Sequence, residues 1–183
     1  MKFLYHPRKA AQAAAFLVSK KGGQMSVFAL IKILYLSDRK VLSLRGRPIT
    51  GDAMVSMPHG PVLSRIYDSI KSGADENQSQ TWHEYLTERD NHNVSLRVQD
   101  PPTDELSQFE RDILADTLSQ YGHFTFAELR DITHRLPEYV DPQGSSLQID
   151  PVKILMEEGW SKEEIQEAIM SAREEKVLRE VCA

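Results

Sequence analysis

The sequence predicts a mainly α, α+β fold: a helical domain carrying a small antiparallel sheet of about three strands. Three observations predict it. Ser107, Thr125 and Ser161 each stand three residues before a glutamate (Glu110, Glu128 and Glu164), a spacing that lets side chains satisfy the free amides of a first helical turn. Val27, Leu30, Ile31, Leu34, Val41 and Leu42 recur at the spacing of one helix face. Strand-like stretches are few and short, at residues 52–57, 82–86 and 94–98.

Taken in order, residues 7–21 read as an alanine-rich helix that begins at Pro7 and ends at Gly22-Gly23. Ala11, Ala14, Ala15 and Val18 give it a small-residue face suited to close packing. Ser26 is placed to cap a stronger, central helix running to about Arg45, with Lys32, Asp38, Arg39, Lys40 and Arg45 on a net basic face. Gly46 stops it, because the residue past a helix end commonly needs positive φ. The compact stretch 45–67 then holds a strand, a rigid Pro58-His59-Gly60-Pro61 turn and the start of a third helix, with Pro61 at its first position. Val62, Ile66 and Ile70 mark that helix and Gly73 ends it.

Residues 74–81 are polar and read as a loop. Residues 82–86 and 94–98 read as a hairpin joined through 89–93, and with 52–57 they make up the expected sheet. Pro101-Pro102 introduces a helical second half. One helix runs from Ser107 to about Tyr121, and a second starts at Thr125, stapled by Phe124 and Leu129 and ended by Pro137. After a loop at 142–146, a short helix begins at Asp150-Pro151 and closes at Gly159. The last begins at Ser161, stapled by Trp160 and Ile165. The expected organisation is one domain over 1–140, with a helical extension over 141–183 packed on it.

Composition excludes several classes of protein. The chain has 183 residues, 40% hydrophobic and 27% charged, with a formal charge of −5, ordinary values for a globular domain and poor ones for a general nucleic-acid binder. The one cysteine, Cys182, cannot form an internal disulfide. The start, MKFLYHPRKA, lacks the apolar core of a signal peptide, and no apolar run has the ~20 residues of a membrane span, so a cytoplasmic location is expected.

Catalytic and metal chemistry finds little support. His6, His59, His83, His92, His123 and His134 follow no metal-ligand spacing, although His83 and His92 can face each other across the expected hairpin. Asp52, His59 and Ser64 are the residue types of a hydrolytic triad, but no nucleophile elbow surrounds Ser64. Asp52 capping a turn, His59 bonding within it and Ser64 in a first helical turn account for the same residues. There is no phosphate-binding loop of the GxGxxG or Walker type, and no cofactor is expected. A winged-helix DNA binder is the harder alternative, because Lys32, Arg39, Lys40, Arg45 and Arg47 can meet phosphates; Glu84, Glu88 and Asp90 in the hairpin speak against it.

A resemblance adds to this. Lys32, Leu34, Tyr35 and Asp38-Arg39, then Gly46-Arg47-Pro48-Ile49, Gly51-Asp52, Met57-Pro58-His59-Gly60-Pro61-Val62 and Tyr67 form a long ordered set that resembles the Panacea domain, the SocA-like or phage-associated GepA-like antitoxin family. Thr133-His134 followed by Pro137 resembles the family's second motif, with Tyr139 where an aromatic, often Trp, is expected. The resemblance implies a non-enzymatic antitoxin that neutralises a cognate toxin by direct contact, usually one encoded by the adjacent gene. It implies no catalytic residues. An operator-binding autoregulator is the alternative. Arg47, Asp52, Met57, His59, Gly60, Pro61, Tyr67 and His134 carry the motif and are the candidate toxin contacts, each with a structural alternative. Arg47 and Asp52 can pair, Met57 and Tyr67 can be core, and His59 can hold the turn. Partner specificity is expected in the less typical residues 142–183.

Overall fold

The computed structural model describes residues 1–71 and 76–182. It is mainly helical with small antiparallel sheets. At its centre α2 (Val27–Arg45) is buried along most of its length, including Leu30, Ile33, Leu34, Tyr35 and Leu42. The alanine face of α1 (Pro7–Lys20) lets that helix sit close to its neighbours, with Ala13, Ala14 and Ala15 wholly inside. The helices α5 (Gln108–Tyr121), α6 (Phe126–His134) and α7 (Pro151–Glu157) also pack on α2, and α8 (Lys162–Cys182) follows. All three capping motifs form. Ser107 with Glu110 and Thr125 with Glu128 close complete boxes, while the Ser161 and Glu164 amides donate to each other's side chains.

Gly46 ends α2 at φ 70°, as expected, and a second constraint acts there. A Cβ at Gly46 would stand 3.0 Å from the Trp160 ring, whose Nε1 donates to the Ser43 carbonyl at 2.9 Å. The link between α7 and α8 therefore presses on the end of the central helix.

The sheets depart from expectation. Pro61 does not begin a helix. β2 (Met54–Ser56) and β3 (Val62–Leu63) pair as a hairpin around the Met57–Gly60 turn, and α3 (Ser64–Ile70) starts only at Ser64. The β-branched Val62 pairs with Val55, which outweighs the preference of Pro61 for a helix start. The third strand of this sheet is β5 (Leu147–Gln148), on the far side of β2. Residues 82–86 are not a strand: α4 (Glu76–His83) takes up Trp82 and most of the expected loop, and burial of Trp82, Tyr85 and Leu86 holds it against the core. β4 (Asn93–Ser95) pairs instead with β1 (Gln24–Ser26), a strand the sequence did not announce. Of the expected hairpin there remain isolated bridges between Leu86 and Leu96 and between Asp90 and Asn93. The helix end expected at Gly73 lies outside the described residues. Among the described residues no helix is long and apolar enough to cross a membrane.

Candidate functional site

The stretch 45–67 is held from beneath by α2. Asp38 is buried on that helix, and its Oδ1 accepts from the Ile49 and Thr50 amides at 3.1 and 3.2 Å while Thr50 Oγ1 donates to Oδ2 at 2.5 Å. Burial pushes its carboxyl up to about 7 despite these bonds. One step along, Asp52 accepts from the amides of Ala53, Arg65 and Ile66 at 2.7, 3.2 and 3.0 Å. Two of those amides open α3, so Asp52 caps a helix from across the hairpin. Its pKa is raised, chiefly by burial. Among the described residues no hydrogen bond joins Asp52 to His59 or Ser64, so a triad is not assembled there.

The turn is held by Lys32 of α2 and by the second motif. Lys32, 1% exposed, donates from Nζ to the Pro61 carbonyl at 2.7 Å and stands 5.4 Å from the centre of the Phe28 ring. It makes no ion pair among the described residues, and burial lowers its ammonium to about 7. Gly60, at φ 91°, lies against the same spot: a Cβ there would be 2.5 Å from Thr133 Oγ1, 3.0 Å from Lys32 Nζ and 3.2 Å from His134 Cδ2. His134 stacks on Tyr139 with ring centres 4.4 Å apart, and the Tyr139 hydroxyl donates to the Met57 carbonyl at 3.3 Å. The two motifs, 70 residues apart in sequence, thus close on one glycine. His134 Nε2 is buried without a partner among the described residues, and its pKa is lowered by burial and by the nearby Lys32 charge.

The eight candidate contacts sort into four groups. Asp52, Gly60 and Pro61 are buried scaffold. Met57 and His134 are partly covered beside them. His59 is exposed and Tyr67 half-buried, and both line a cleft of about 630 Å³ between the start of α2, the hairpin turn and α6. Arg47 is exposed elsewhere, over a hollow shared with Glu110 and Glu175, and does not pair with Asp52. The basic face expected on the central helix does not assemble either. Lys32 is buried, Arg39 is bound by Glu138 and Glu158 at 2.8 Å each, and Arg45 lies over the Phe109 ring. Lys40 and Arg47 remain in solvent.

Several cleft residues escaped the sequence reading. Phe28 and Phe126 meet with ring centres 4.0 Å apart, and His59 approaches Phe126 edge-on at 5.6 Å. Phe126 is 48% exposed although it opens a helix in the second motif half. Its signal was a large aromatic directly after a capping threonine, where a polar residue is the usual choice. At one end of the cleft the Asp90–Asn93 turn has Asn91 and His92 at positive φ, and the His92 carbonyl accepts from the Val27 amide at 2.8 Å. This backbone bond holds the first turn of α2, where Ser26 makes no side-chain cap. His83 ends α4 and is not placed across a hairpin from His92; no group of three potential metal ligands occurs among the described residues.

The chain matches the family described as "Antitoxin SocA-like, Panacea domain" over residues 30–139, and it belongs to that family. No curated protein and no solved structure matched it in the corresponding comparisons.

Proposed function

We propose that the protein is the antitoxin of a toxin–antitoxin pair, acting in the cytoplasm and neutralising its toxin by direct protein contact without catalysis. Membership of an antitoxin-like family carries this reading. The site chemistry agrees with it. Asp38, Asp52 and Lys32 of the motif are engaged in holding backbone, whereas His59 and Phe126 present exposed rings at the cleft. Exposed aromatics beside a cleft are the anchors that protein interfaces use. On this reading residues 1–140 form the antitoxin domain and 141–183 an extension that completes it.

Co-expression tests the proposal. The product of the neighbouring gene, induced alone in a bacterial host, is expected to arrest growth. With this protein co-induced, growth is restored and the two co-purify. A harmless neighbour, or arrest that persists when this protein is present, sinks the reading.

A further inference from the structure

The aromatic cleft runs into a second hollow of about 380 Å³ lined by Lys71, Arg89, Asn91 and His92, so that Arg89 and His92 belong to both. Among the described residues no acidic one lines either hollow, although the chain carries 27 acidic residues and a net charge of −5. Lys71 is balanced by Asp68 at 2.8 Å. Arg89 has no carboxylate partner among the described residues; its Nη2 lies 2.6 Å from His92 Nδ1, which must then accept. A guanidinium with no carboxylate partner among the described residues therefore sits at the end of a trough whose walls are Phe28, Tyr67, Phe126 and Leu129.

We propose, resting on the antitoxin reading, that this trough receives a segment of the toxin carrying a large apolar side chain next to a carboxylate. The apolar group packs against the Phe28–Phe126 pair, and the carboxylate takes the guanidinium of Arg89. A guanidinium presents two parallel N–H donors to a carboxylate, a match that a neutral or basic segment cannot make. The apolar walls explain why an aromatic anchor is favoured there, and the Arg89 guanidinium offsets locally the repulsion that a net charge of −5 imposes on an acidic segment.

The test uses the full-length protein and the neighbouring toxin once neutralisation by wild type is established. Failure at that first stage refutes the antitoxin reading and not the choice of surface. Phe126→Asp and Arg89→Glu, both at exposed positions and checked for unchanged thermal melting, are each expected to weaken toxin binding about tenfold or more. A photo-crosslinking residue placed at position 126 is expected to capture a toxin peptide that contains a large apolar residue beside Asp or Glu. Changing that acid to Lys in the toxin is expected to restore binding to Arg89→Glu. Unchanged binding by both variants overturns the proposal, and so does capture of a second copy of this chain or of a basic toxin peptide. Loss of binding in Val177→Glu on α8, with both cleft variants intact, overturns it as well.

Discussion

Asp38 and Lys32 sit on the same buried helix and are displaced in opposite directions, which gives the protein two separate pH windows. The Asp38 carboxyl rises from 3.8 to about 7, so the folded chain holds that proton more tightly than the unfolded one. Its contribution is fully present below pH 4 and is lost as pH climbs toward 7. The Lys32 ammonium falls from 10.5 to about 7, so its charge opposes folding at pH 7 and below, and that opposition fades as pH rises to 10.5. Each slope is at most about 1.4 kcal/mol per pH unit. Urea midpoints measured against pH are therefore expected to fall between pH 4 and 7 and to rise above it. Asp38→Asn should flatten the first limb alone, and Lys32→Met the second. A limb that survives its substitution means that another group produces it. Glycines offer a second residue-scale contrast. A Cβ at Gly51 would lie 1.8 Å from the Leu4 carbonyl oxygen, so Gly51→Ala is expected to cost several kcal/mol, roughly the scale of a strained or overpacked site. Gly144 also has positive φ but open space around it, and Gly144→Ala should cost about 1 kcal/mol. Thermal melts of the two variants check the difference.

At the scale of elements, the caps and the Trp160 wedge are separable contributions. Thr125→Ala removes the hydroxyl that accepts the Glu128 amide and is expected to lower stability by about 1 kcal/mol, with α6 the first helix to lose amide-exchange protection. Trp160→Ala removes both the ring against Gly46 and the bond to the Ser43 carbonyl, and should cost about 3 to 5 kcal/mol. Equal melting of this variant and wild type would show that the C-terminal helices are not fastened there. Helix starts were legible in the sequence because a cap is a local event: Ser107 and Glu110, or Thr125 and Glu128, need only each other. Strand partners were not. Nothing in Gln24–Ser26 says that it pairs with Asn93–Ser95, and nothing in Met54–Ser56 says that its neighbour lies at Leu147. Trp82 and Tyr85 look strand-like by residue type, yet α4 and the turn after it bury both. The scaffold half of the site, Asp52 through Pro61, was recognisable as a rigid corner. Its aromatic half was not, because Phe28, Phe126 and Arg89 come from three distant segments that only the fold brings together.

For the whole molecule, the buried Glu138 and the partly buried Arg39 fasten together parts of the chain that are distant in sequence. Glu138 accepts from the Tyr35 hydroxyl at 2.8 Å and from Arg39, which also reaches Glu158 beyond α7. Residues past 140 supply further core, with Ile149, Ile154, Leu155 and Ile165 buried. Their removal would forfeit roughly 2 to 5 kcal/mol per large side chain, against a total stability of about 5 to 15 kcal/mol. A chain ending at 140 is therefore expected to aggregate or to lack a cooperative melt. If it ran as a folded monomer on size exclusion, the family-matched segment would be self-sufficient. The position of β5 also orders events in time. The Ile149 amide donates to the Met54 carbonyl, and β5 completes the sheet around the motif hairpin. A ribosome makes the hairpin first and β5 and Trp160 about a hundred residues later, so the motif stays an open-edged sheet on a helix with an unfastened end until residue 160 has been made. Translation that stalls between residues 139 and 147 would thus leave a chain that contains the whole family-matched segment and still cannot close it.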